Sequence, residues 1–106
     1  MNNLTTQKCI PCEGGALPMS NEEAEKYLAE LKDWKHEGSR IRKLFTFKNF
    51  KEAIKFVNSV ANIAELEGHH PDISISYNKV DISLWTHSIG GLSQNDFILA
   101  AKIDAI

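Results

Sequence analysis

Apolar residues recur along this chain at two different periods, and the changes between them mark its elements. Ser20, with Glu23 three residues on, has the form of a capping box. Ala24, Tyr27, Leu28 and Leu31 follow at helical spacing, which predicts a helix over about 21–33. Trp34 to Glu37 reads as a short strand, Gly38-Ser39 as a turn, and Arg40 to Phe47 as a second strand. Asn49 with Glu52 opens a longer helix whose apolar stripe is Phe50, Ala53, Ile54, Val57, Val60, Ala61 and Ala64. Gly68 suits its C-terminal stop, and Pro71 blocks continuation.

The period then falls from 3.6 to 2. Ile73, Ile75 and Tyr77 alternate with Ser74 and Ser76, and Val80, Ile82 and Leu84 alternate with Asp81, Ser83 and Trp85. With Asn78-Lys79 as a two-residue turn, this is a β-hairpin with one buried face, setting Ile73 near Leu84. Gly90-Gly91 reads as a loop. Ser93, with Asp96 at the third position, caps a last helix whose apolar side is Phe97, Ala100 and Ala101, flanked by Leu99 and Ile103. The order is α-β-β-α-β-β-α. The expected fold is α+β, a four-stranded antiparallel sheet with three helices on one face, the simplest way to bury every stripe.

Residues 1–19 show no sustained period and read as a flexible tail, which leaves 20–106 as a single domain. The 106 residues suffice for one compact core without disulfide staples. Apolar residues are 42% of the chain and charged residues 25%, a globular composition. A net charge of −2 offers no electrostatic footprint for nucleic acid, and the longest apolar run, Phe97 to Ala101, is far short of a membrane span. The first nineteen residues lack the apolar core of a signal peptide, and with two cysteines in the chain a reducing, cytoplasmic location is expected.

Histidine changes the picture more than charge does. His69 and His70 lie between the long helix and the hairpin, and His87 lies just past the hairpin's second strand. Antiparallel pairing brings 69–72 and 86–88 to the same end of the sheet, so three imidazoles converge. Three readings are open. Convergent imidazoles can act as acid and base near neutral pH. They can hold a metal ion, although no HxH or HxxxH spacing is present. Or His69-His70 can simply cap a helix C-terminus.

The neighbouring groups divide similarly. Glu65 lies four residues before His69 and can orient that ring, or be an exposed helical acid. Asp96 is first a capping and dipole residue, and Asp72 a strand-start residue. Trp85, on the polar parity of its strand, can floor a flat heterocycle or pack against another subunit. His36 has no motif around it and is expected on the surface. Cys9-Ile10-Pro11-Cys12 has the CxxC form, but no second ligand pair and no strand-to-helix context, so it reads as a tail feature.

Taken together, Glu65-x3-His69-His70-Pro71, then Tyr77, His87 and Asp96 at gaps of five, nine and eight residues, resemble the signature of the pterin-4a-carbinolamine dehydratases. That family is also known as dimerisation cofactors of a homeodomain transcription factor. Tyr77-Asn78-Lys79-Val80, Thr86-His87 and Gly91-Leu92-Ser93 extend the likeness over about residues 20–106. The resemblance implies the same α+β fold, and a hydro-lyase that converts 4a-hydroxytetrahydropterin to quinonoid dihydropterin and water in tetrahydrobiopterin recycling, without metal or organic cofactor. It implies His69, His70 and His87 as catalytic and substrate-holding residues. Gly68, Pro71 and the run Trp85-Thr86-His87-Ser88 would line the pterin pocket, with Glu65 and Asp96 as supporting carboxylates. It also implies a homodimer or homotetramer.

Animal members use a helical surface for tetramer formation and for docking the transcription factor. The Cys9–Cys12 segment lies outside that animal-type core, and Asp72-Ile73-Ser74-Ile75-Ser76 is less aromatic than in animal members. The competing expectation is a non-catalytic, partner-binding module of coactivator type on the same fold. A hydroxylase or a transcription factor would be the partner protein on these readings. With so little chain to enclose a substrate, a shallow cleft at one end of the sheet is expected.

Overall fold

The computed structural model describes residues 4–9 and 17–106. The elements run α1 (Asn21–Leu28), β1 (Lys35–Glu37), β2 (Arg40–Thr46), α2 (Phe50–Glu67), β3 (Asp72–Ser76), β4 (Lys79–Leu84) and α3 (Gln94–Asp104). One-turn 3-10 helices at Leu4–Thr6 and His87–Ile89 complete the described elements. The four strands form one antiparallel sheet in the order β1-β2-β4-β3. The architecture is the expected α+β one, with three helices and four strands.

The core follows strand parity. Ile41 faces Leu84 and Phe45 faces Val80 across β2–β4, and these join Ile82 and the helical residues Ala53, Val60, Phe97 and Leu99 in one cluster. On the opposite parity, Arg42 pairs with Asp81, and its hydrogen bonds first, then its charge, hold the Asp81 carboxyl below the usual range.

Four local expectations shift. First, α1 stops at Leu28. The next turn tightens to i→i+3 bonds (Glu30 N to Tyr27 O, Leu31 N to Leu28 O), and Asp33 turns left-handed at φ 66°. That unwinding delivers Trp34 into the core, where its indole N–H donates to Asp104 at 2.9 Å. Second, the buried stripe of α2 is rotated. Phe56 stacks between Phe45 and Phe47, with ring centroids 4.7 and 4.8 Å away, while Phe50 stays half exposed. The two β2-end aromatics select the face that meets the sheet.

Third, the hairpin turn is Tyr77-Asn78, so Ile73 pairs with Ile82 rather than standing near Leu84. Asn78 decides this: its side-chain amide donates to Phe47 O and its carbonyl accepts from Phe47 N, both at 2.8 Å. Fourth, His36, expected on the surface, is half-buried. Its side chain is 16% exposed, beside Glu25, on the edge strand remote from β3.

The last helix is buried nearly all round, from Asn95 to Ala101 and at Ile103. Such a helix needs cover on more than one side. Part of that cover comes from the segment read as a tail. Leu4 is 4% exposed and belongs to the core cluster, and Gln94 donates to Gln7 at 2.6 Å. The backbone N–H of Cys9 donates to Glu67 Oε1 at 2.8 Å, and Lys102 donates to Glu67 Oε2 at 2.7 Å. Downstream, Met19 N donates to Leu92 O, and Pro18 lies so close to Gly91 that a Cβ there would sit 2.7 Å from it. The CxxC motif continues into Cys12, which lies outside the described residues.

Two stability predictions follow from this packing. Leu4→Ala is expected to cost about 2–3 kcal/mol, as for other buried leucines. Urea unfolding measures it, and an unchanged midpoint would show that the segment contributes no packing. The Glu67 carboxyl is held below the ordinary carboxylate range, chiefly by Lys102 and then by the Cys9 N–H. Its contribution is therefore complete above the unfolded-state pKa and disappears as pH falls through the lowered one. Glu67→Gln should be less stable than wild type at neutral pH, with the gap closing as pH falls through and below the ordinary carboxylate range. Stability curves that stay parallel over that interval would contradict the assignment.

Candidate functional site

The cleft is built where α2 ends, the hairpin begins and β4 runs out. Gly68 takes the left-handed conformation (φ 66°) that ends α2, and its N–H returns to Ala64 O. The chain leaves the helix axis there, so His69 no longer continues the helical face on which Glu65 stands. This overturns the expected Glu65–His69 pair: Glu65 reaches His70 Nε2 instead, in a contact exposed at both ends. At the other rim, Thr86 bridges to Gly91 (Thr86 N to Gly91 O, 2.8 Å), closing the short loop that carries His87 in its 3-10 turn.

His69 finds a different carboxylate. Its Nε2 lies 2.6 Å from Asp96 Oδ1, and Asp96 is fully buried. The other oxygen, Oδ2, accepts from the Ser93 backbone N–H at 2.9 Å and from the Thr86 hydroxyl at 3.0 Å. With its proton committed to Asp96, Thr86 Oγ1 accepts from the Ser93 hydroxyl at 2.8 Å. A buried carboxylate is costly unless its lone pairs are matched, and here three donors meet it. Because the carboxylate accepts only, His69 presents Nε2–H to it, which leaves Nδ1 as the ring's other functional nitrogen. Asp96 thus caps α3, as its spacing suggested, and also fixes an imidazole 27 residues away.

The cleft encloses about 460 Å3. Gly68, His69, His70, Pro71, Trp85, Thr86, His87 and Ser88 all line it, while Glu65 and Asp96 do not and meet it only through His70 and His69. Trp85 stacks on His87 with ring centroids 3.8 Å apart, and its indole N–H donates to Asp72 at 3.1 Å. The site is open at the end of the sheet, with His70 and His87 exposed and His69 largely covered. Among the described residues, no three His, Cys, Asp or Glu side chains are grouped to hold a metal ion.

Four lining residues had not been assigned to the site: Cys9, Glu67, Asp72 and Asn95. Asp72 adjoins the His-His-Pro run and Asn95 precedes Asp96, so position along the chain could have suggested both. Glu67 adjoins Gly68 and could have been suggested likewise, whereas Cys9 carries no such signal, because it reaches the site across 58 residues. The Cys9 thiol donates to Asn95 O at 3.6 Å; burial first, then the Glu67 charge, pushes its pKa up to about 12. It therefore stays a thiol at neutral pH, the opposite of an activated nucleophile.

The sequence model described as pterin 4 alpha carbinolamine dehydratase matches residues 17–106. A Nitrosospira multiformis relative named for that dehydratase is 49% identical over 106 residues, which cover 100% of this chain and 94% of the relative. One from Alkaliphilus metalliredigens, named likewise, is 48% identical, covering 98% and 96%. A solved structure titled as a transcriptional coactivator/pterin dehydratase from Brucella melitensis superposes with a TM-score of 0.80 at 33% identity, covering 83% of this chain and 96% of that one. A pterin dehydratase-like protein, titled as a RuBisCO assembly factor in the alpha-carboxysome, superposes with a TM-score of 0.61 at 25% identity, covering 70% and 88%. Family match, full-length relatives and a shared fold converge on one assignment: this chain belongs to the pterin 4 alpha carbinolamine dehydratase family.

Proposed function

We propose that the chain is a 4a-hydroxytetrahydropterin dehydratase, acting by histidine acid–base chemistry on a pterin held in the His69–His70–His87 cleft. The observation that carries this reading is the cleft itself: three imidazoles on one small-molecule-sized hollow, one of them fixed by a buried carboxylate. The chemistry requires little else. The C4a–O bond breaks as the oxygen takes a proton and leaves as water. The N5–H proton departs, and its electron pair forms the C4a=N5 bond of quinonoid dihydropterin. One proton is given and one taken, so the enzyme returns to its starting state without an external reactant.

The roles follow from how each ring is held. His69, covered and tied to Asp96, holds and orients the heterocycle. His70 and His87, both exposed, can trade protons with solvent between turnovers and flank the 4a centre. Trp85, stacked on His87, offers an indole face to the flat ring. Tetrahydrobiopterin recycling in the cytoplasm is the setting this reading favours. The relative titled as an assembly factor favours a second reading, in which the fold serves partner binding and the histidines are vestigial.

Stopped-flow dehydration of chemically generated 4a-carbinolamine separates the two. Acceleration over the spontaneous rate is expected, with kcat falling about 100-fold or more in His70→Ala and in His87→Ala, the scale of a lost general acid or base. No acceleration by the wild-type chain would promote the partner-binding module. Full kcat in both variants would remove these two histidines from the chemistry.

A further inference from the structure

The cleft has a wall that the histidine motif does not supply. Cys9 and Glu67 line the same hollow as His69 and Asn95. Cys9 belongs to a segment, Leu4–Cys9, that packs against α3 and is fixed at three points. Leu4 is sunk into the core, Gln7 pairs with Gln94, and Cys9 is held by both its backbone N–H and its thiol. We propose that Leu4–Cys9 is a substrate-cleft wall and that Glu67 is the positioning residue that clasps it, so that Glu67 sets the affinity for substrate without taking part in the chemistry. The proposal rests on the dehydratase reading of the site.

Glu67 has the arrangement of a clasp rather than of a ligand group. Each of its oxygens is already engaged, Oε1 with Cys9 N–H at 2.8 Å and Oε2 with Lys102 at 2.7 Å. Lys102 stands on α3, two turns beyond Asn95, so the carboxylate ties the end of α2, the helix α3 and the N-terminal segment together. It is also two residues before His69, separated from it only by Gly68. Losing the clasp releases the Cys9 backbone while leaving His69 on Asp96, because no bond is shared between the two sets. The wall therefore affects binding of the heterocycle more than proton transfer to it.

The test compares wild type, Glu67→Ala and Glu67→Gln in the full-length chain, using the same carbinolamine assay. Glu67→Ala is expected to raise KM about tenfold while kcat stays within about twofold, the pattern of lost uniform binding. Glu67→Gln, whose amide oxygen still accepts from Cys9, should recover most of that loss. In parallel, hydrogen–deuterium exchange of the Leu4–Cys9 amides in wild type, read by mass spectrometry, should slow about tenfold or more in saturating 7,8-dihydropterin, because the segment walls the occupied cleft. This footprint decides the matter if Glu67→Ala fails to fold. Unchanged KM in a folded Glu67→Ala, or Leu4–Cys9 exchange indifferent to the pterin, overturns the wall while leaving the dehydratase reading intact. Absence of turnover in wild type overturns both.

Discussion

A single buried carboxylate connects the fold to its site. Asp96 begins α3 by accepting the Ser93 N–H, draws the Thr86 hydroxyl inward from the end of β4, and holds His69 from the far side of the cleft. Three pieces of chain that are distant in sequence are thus fixed relative to one another by one side chain. The cost of burying that charge explains why the arrangement is closed. Any donor withdrawn leaves a carboxylate facing low dielectric, so helix cap, loop and imidazole stand or fall together. His70 and His87 have no such anchor and lie in the open part of the cleft, where contact with solvent suits groups that exchange protons.

Around that hub the backbone does two specific things. Gly68 turns out of α2 in the left-handed region, which moves His69 off the helical face and towards α3. The Thr86–Gly91 bridge closes the loop after β4, and Gly91 leaves room for Pro18 to pass against it. The N-terminal segment then covers a helix that would otherwise expose apolar surface, and reaches the cleft at Cys9. Core packing and site construction therefore use the same contacts.

Much of this was legible in the sequence, and the physical reason is locality. The α2 boundaries, marked by Asn49 and Gly68, and the alternation of Val80, Ile82 and Leu84 are signals carried within a few residues, and they placed the histidines at one end of the sheet. Where competition came from elsewhere in the chain, local pattern was insufficient. The i,i+4 rule paired Glu65 with His69, but it applies only while the helix continues, and Gly68 ends it. Asn78 belongs to the hairpin turn because Phe47 binds it, and Phe56 faces inward because Phe45 and Phe47 await it. The site role of Asp96, across 27 residues, came only with the motif that joins it to the histidines, and the clasp of Cys9 by Glu67, across 58 residues, had no pattern to announce it.

The central claim, that Asp96 fixes His69 through its Nε2–H, is tested most directly by long-range proton–nitrogen NMR of the imidazoles in the unliganded protein. The arrangement requires His69 to be protonated at Nε2 and to show a slowly exchanging, downfield Nε2–H resonance, because that proton is held against a buried carboxylate. His70, in an exposed contact, should show no such protection. A His69 ring protonated at Nδ1 with a bare Nε2, or one whose N–H exchanges as freely as that of His70, would contradict the account.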